Sequence, residues 1–138
     1  MANDAECDIF LSLHANSAIN TDAHGVETFT SGSDESRKLA TLILNRHLDA
    51  VKQKSRGVKR ANFHVLRNTR MPAVLHEFGF VSNVGEAAIL DSTANQEKMA
   101  QAVANGVLDY FQISLANEDE ALTLEQRVAR LEQHLGLA

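Results

Sequence analysis

The sequence predicts an α/β domain, a mostly parallel twisted sheet flanked by helices, followed by a short C-terminal helix. Three observations carry this. Short apolar runs bounded by turn residues alternate along the chain with longer segments of helical periodicity, the pattern of interleaved strands and helices. The one proline, Pro72, stands at the entrance to the apolar run Ala73–Phe80, where a strand tolerates it. Hydrophobic residues make up 44% of the 138, enough to fill a core of one ordinary domain.

Taken in order, Ile9-Phe10-Leu11-Ser12-Leu13 reads as a buried strand that runs into the polar loop His14-Ala15-Asn16-Ser17. Gly25 then opens Val26-Glu27-Thr28-Phe29-Thr30, β-branched and partly alternating, as a second strand. Ser31-Gly32-Ser33-Asp34 supplies turn and capping residues. After it, Leu39, Ala40, Ile43, Leu44, Leu48 and Val51 recur at helical spacing, so a helix of about four to five turns is expected. His47 sits near that helix's apolar face and reads as a boundary residue.

Lys52 to Arg60 is basic and polar, and reads as a connection with Gly57 at a turn. Phe63-His64-Val65-Leu66 reads as the third strand and Ala73–Phe80 as the fourth. Gly85 to Leu90 reads as a short helix, and Asn95 to Phe111, with Met99, Val103, Val107, Tyr110 and Phe111 on one side, as the helix that closes the domain. Residues 1–112 form the domain, and 113–122, centred on Asn117-Glu118-Asp119-Glu120, an acidic linker. In 123–138, Thr123 and Gln126 form a capping box ahead of Leu124, Val128, Leu131 and Leu135, which step by four, three and four. That seam suits self-association or packing back on the parent domain.

Composition excludes several classes of function. Thirteen Lys and Arg against eighteen Asp and Glu leave a net charge of −5, with no surplus to bind a phosphate backbone, so nucleic acid is not an expected partner. No apolar stretch approaches the roughly 20 residues of a transmembrane helix. The acidic start Ala2-Asn3-Asp4-Ala5-Glu6 shows no signal peptide. Cys7 is the one cysteine and cannot form an internal disulfide, so it reads as a small buried residue.

Two residues stand out chemically. His14 lies where a buried strand gives way to a loop, a place where a rigid element fixes a side chain and exposes it. Glu77 lies inside an otherwise apolar strand, where an ionised carboxylate needs a cation or hydrogen-bond donors.

At these residues the sequence resembles a known family. Ile9 to Ser17, Gly25-Val26-Glu27-Thr28-Phe29, Arg56-Gly57-Val58-Lys59, Val65 to Thr69, Met71 to Leu75, Glu77-Phe78-Gly79-Phe80 and Ser82-Asn83 resemble, in order, blocks of the zinc-dependent N-acetylmuramoyl-L-alanine amidases. The resemblance implies an amidase-type fold and hydrolysis of the amide bond between N-acetylmuramic acid and L-alanine in peptidoglycan. By position it implies His14 as a zinc ligand and Glu77 as the general acid/base. Asn16, Glu27 and Arg67 are candidates for pocket support, with burial beside a polar partner the equal alternative for Glu27. A muropeptide or peptidoglycan partner, and a place in the cell wall, periplasm or extracellular space as an autolysin or endolysin, are implied likewise.

The family's second histidine and its glutamate ligand precede the His14 block, and neither motif occurs here. The chain is therefore expected to begin partway through the domain. His24, His64 and His76 match none of the absent positions, nor does Glu27, and alternation points His76 away from Glu77. One imidazole cannot hold zinc in a His, Glu, His site. The alternatives are a non-catalytic remnant that binds muropeptide or assembles with another chain, and an oligomerisation module built on the terminal seam.

Overall fold

The computed structural model describes residues 2–114 and 123–134. Its elements are β1 (Phe10–Asn16), β2 (Val26–Thr30), α1 (Asp34–Ala50), β3 (Ser55–Arg60), α2 (His64–Arg67), β4 (Ala73–Phe80), α3 (Val84–Asp91), α4 (Thr93–Tyr110) and α5 (Leu124–His134). One sheet holds the strands in the order β1-β4-β2-β3. β1 runs parallel to β4 and β2 parallel to β3, while β2 and β4 are antiparallel. The sheet is thus mostly parallel, and a strand seven residues long at its edge carries His14.

Helices start where the sequence offers side-chain acceptors for their free N–H groups. Ser33, Asn83 and Ser92 cap α1, α3 and α4, and Thr123 and Gln126 exchange hydrogen bonds at the start of α5. α1 and α4 cover one face of the sheet. Leu39, Ala40, Ile43, Val74, Val103 and Val107 form the core there, with Leu11, Val58 and Phe78 packed against it. Burying a side chain such as Leu39 or Ile43, both wholly enclosed, stabilises the fold by about 1.5–3 kcal/mol. A smaller cluster of Leu66, Ala73 and Leu75 lies on the other face, with Phe10, Phe29 and Val65 around it.

The two large helices touch at Gly106, where an added Cβ would stand 2.7 Å from Ile43 Cα. Alanine would gain helix propensity but force the helices apart. Gly106→Ala is expected to cost about 1–3 kcal/mol, read as a lower urea midpoint.

Two segments differ from the sequence reading. Ser55–Arg60 is a strand, not a connection. It lies at the sheet edge, so its outer residues stay polar, and Gly57, at φ +81°, makes a bulge that breaks the alternation. Phe63–Leu66 is not a strand. Phe63 is instead the N-cap of a single helical turn, α2 (His64–Arg67), which sets Leu66 against Ala73 and Leu75. A short apolar run of this length has no period that separates the two states. Cys7 is half-buried, less enclosed than expected.

His47 is also deeper than a boundary position, being fully buried. Its Nδ1 lies 2.9 Å from His76 Nε2 and its Nε2 lies 2.9 Å from Gln53 Oε1, while His76 Nδ1 lies 2.8 Å from Thr28 Oγ1. The direction of this chain is fixed at one end. The Gln53 amide N–H groups donate to Phe78 O and Glu86 Oε1, so its oxygen faces His47 and must accept. His47 therefore carries its proton on Nε2, His76 donates from Nε2 to His47 Nδ1, and Thr28 donates to His76 Nδ1. Burial disfavours charge on either ring, which leaves one proton on each and sets this direction.

The C-terminal helix packs back on the domain. Leu131 meets the core cluster, and Val128 and Leu131 border a pocket of about 310 Å³ with Ile9, Leu11, Leu13, Val103 and Val107. The rest of the seam, the Leu124 side chain and Leu135, lies outside the described residues, as do residues 115–122 of the linker. No helix among the described residues is long and apolar enough to cross a membrane.

Candidate functional site

Strand register assembles the site. His14 on β1 is level with Glu77 on β4, and Glu77 is level with Glu27 on β2. Side chains level with one another on adjacent strands share a face, so imidazole, carboxyl and carboxylate stand in one row across three strands. The opposite parity sends His76 and Thr28 into the core.

Glu27 holds the cationic end of the row. Its Oε1 accepts from Asn16 Nδ2 at 2.8 Å, and its Oε2 accepts from Arg56 Nε at 2.8 Å and Lys59 Nζ at 2.5 Å. Burial alone would push this carboxyl up, but the hydrogen bonds and charges of Lys59 and Arg56 outweigh that and hold it below the usual carboxylate range. Arg56 also lies over the Phe80 ring, 5.0 Å from its centroid, and Lys59 over Phe29 at 5.8 Å.

Neither cation was singled out as a site residue, because the bulge sets their placement. Arg56 and Gly57 together oppose Glu27, which brings Arg56 and Lys59, three apart, onto one face. The basic run around a glycine was the signal. Replacing Glu27 with Leu leaves the two cations facing each other without a counter-charge. The expected loss is about 1–3 kcal/mol, discounted for the partial exposure of both cations. Urea titrations should recover part of it at high salt.

Glu77 is less well provided for. Its Oε2 is buried and has no hydrogen-bond partner. Burial pushes the carboxyl above its ordinary value, the His14 ring pulls it back, and the Glu27 charge adds to the rise. The cation or hydrogen-bond donors that Glu77 is expected to need are not found at its Oε2, and the cations Arg56 and Lys59 go to Glu27 instead. A carboxyl raised in this way binds a proton more readily than an ordinary Glu, which suits it to general acid/base work. His14 is exposed, and its Nε2 lies 2.8 Å from Ser12 Oγ on the same strand face. Asn16 reaches the row through Glu27. The contact described for Arg67 is with Asn62 Oδ1 at 3.1 Å, and it does not join Arg67 to the row.

The donor set does not fit zinc on its own. A catalytic zinc takes three protein ligands and an open position. Both Glu27 oxygens are taken by N–H donors, which leaves the His14 ring and the free Glu77 oxygen. Among the described residues no group of three or more His, Cys, Asp or Glu could hold a metal ion.

Comparison with known proteins gives consistent matches. A profile of the family described as N-acetylmuramoyl-L-alanine amidase matches residues 1–109. An uncharacterized cell wall amidase of Bacillus anthracis is 43% identical over 114 residues, 76% of this chain and 21% of that protein. The N-acetylmuramoyl-L-alanine amidase LytC of Bacillus subtilis is 34% identical over 113 residues, 80% of this chain and 23% of LytC. Among solved structures, the catalytic domain of the amidase CwlV from Bacillus (Paenibacillus) polymyxa var. colistinus superimposes with a TM-score of 0.77 at 34% identity, covering 82% of this chain and 63% of that one. AmiC2 of Nostoc punctiforme gives 0.75 at 35%, covering 80% and 62%. The chain spans less than two thirds of each of these relatives.

Proposed function

The chain belongs to the N-acetylmuramoyl-L-alanine amidase family, and from that membership we propose that it acts on the amide bond between N-acetylmuramic acid and L-alanine in peptidoglycan. The observation that carries this reading is the buried, unpartnered Glu77 oxygen in a row with His14 and Glu27. Hydrolysis adds water across the amide, giving the lactyl carboxylate and the ammonium group of L-alanine. Glu77 takes a proton from the attacking water and returns it to the departing nitrogen. Glu27, held ionised by Arg56 and Lys59, supplies the fixed negative charge that favours the protonated form of Glu77.

His14 is the one imidazole the row offers to a metal, and the described residues do not complete a zinc site around it. A metal-bound site needs donors beyond them. The relatives' cell-wall names support a place of action outside the cytoplasmic membrane. The shortage of donors favours a second reading, in which the chain binds a muropeptide without cleaving it.

One experiment separates the two. The chain is incubated with purified peptidoglycan, released stem peptides are measured by mass spectrometry, and bound zinc is measured on the same sample, with Glu77→Gln as control. Peptide release by the chain and none by the variant supports hydrolysis. Muropeptide binding without release, and zinc below stoichiometry, supports the second reading.

A further inference from the structure

A buried carboxylate outside the row, that of Glu86, binds the strand ends beside its cationic end. Between the level pairs His14 with Glu77 and Asn16 with Phe80, β1 has one residue and β4 has two, Phe78 and Gly79. This extra residue is a bulge, and it reverses the parity of the strand beyond it. Phe80 thereby falls on the same face as Glu77, where its ring lies beneath the Arg56 guanidinium. A regular strand would turn that ring into the opposite layer.

The backbone of the bulge is gripped from outside the sheet. Glu86, near the start of α3 and 5% exposed, accepts the Phe80 N–H on Oε2 at 2.7 Å and the Gly25 N–H on Oε1 at 2.8 Å. Gln53 donates to Phe78 O at 3.0 Å and to Glu86 Oε1 at 3.1 Å. Gly79, at φ +137°, leaves room for both side chains, since a Cβ there would stand 2.8 Å from Gln53 Nε2 and 3.1 Å from Glu86 Oε2. Gly25 opens β2 two residues before Glu27, and Phe80 ends β4 three residues after Glu77. One carboxylate thus ties together the ends of the two strands that carry the acidic pair.

We propose that Glu86, assisted by Gln53, is a positioning residue of the site: it holds the β4 bulge that sets Phe80 under Arg56, and so fixes the guanidinium on Glu27 beside Glu77. The inference rests on reading this face as the reacting site, yet its test needs no turnover.

In the folded chain the Phe80 ring should shift the Arg56 side-chain protons upfield in the NMR spectrum. Glu86→Gln keeps the shape but removes an acceptor where three N–H groups converge. It is expected to abolish that upfield shift and to speed hydrogen exchange at the Phe80 amide about tenfold beyond the change in global stability. Gln53→Ala removes the bonds to Phe78 O and Glu86 Oε1 and the acceptor of His47 Nε2, but leaves Glu86 its two backbone N–H groups. It should act in the same direction more weakly, and it decides the matter if Glu86→Gln does not fold. Ile43→Val is the control for general loss of packing and should leave the Arg56 shift in place. The proposal is overturned if the shift is missing in the unaltered chain, or if it and the Phe80 exchange behave in the clamp variants as they do in Ile43→Val. Failure to cleave or bind peptidoglycan would sink the proposed function and leave these readings intact.

Discussion

Glu77→Gln is expected to lower stem-peptide release from peptidoglycan by about 10²–10⁴-fold, the range for loss of a general acid/base, while the chain stays folded. The amide has nearly the shape of the carboxyl but cannot cycle a proton. The same substitution should not reduce stability at neutral pH. Burial raises the folded-state pKa of Glu77 above its ordinary value, so this group favours folding only while protonated. Its contribution is present below the unfolded pKa and is lost as pH rises through the folded one. Glutamine escapes that loss, and the thermal midpoint at pH 7 should hold or rise. Release at wild-type rates, or a melt that drops by many degrees, would remove Glu77 from the role assigned to it.

The largest effect on stability is expected on acidification. His76 is wholly enclosed, and burial, aided by the neighbouring His47, lowers its pKa to about 3. Burial lowers that of His47 as well, partly offset by Gln53 and the charge of Glu86. Both rings bind their proton more readily in the unfolded chain, near the ordinary value of about 6.5. The stability they contribute is therefore complete above about pH 6.5 and drains away as pH falls toward about 3, by an amount on the order of several kcal/mol. Urea titrations at pH 7.0 and 4.5 should show a large drop for the unaltered chain. His76→Gln should be less stable at pH 7.0 and should change less between the two.

The fold was legible wherever local pattern decides structure. Apolar runs gave β1, β2 and β4, helical spacing gave α1 and α4, and the Thr123 and Gln126 pair marked the start of α5. β3 was missed because an edge strand keeps polar residues on its outer side and Gly57 disrupts the period. The four-residue α2 fell below the length at which period separates helix from strand. At the site, His14 and Glu77 could be named from their neighbours in sequence. Their alignment with Glu27 depends on the order β1-β4-β2, which no local pattern records. Arg56, Phe80 and Glu86 enter through bulges and a long-range backbone grip, so their roles emerge only from register. The depth of His47 was hidden for the same reason, since its partner His76 comes from a strand 29 residues away.

The one-way run of protons from Thr28 through His76 and His47 to Gln53 bears on how the molecule meets reagents. Each ring spends its lone pair on a neighbour's proton and its own proton on the next acceptor, so neither has an electron pair left for an incoming electrophile or cation. Acylation of the folded chain by diethyl pyrocarbonate should therefore stop at the remaining imidazoles, His14, His24, His64 and His134. Labelling of the other two would report the chain opening.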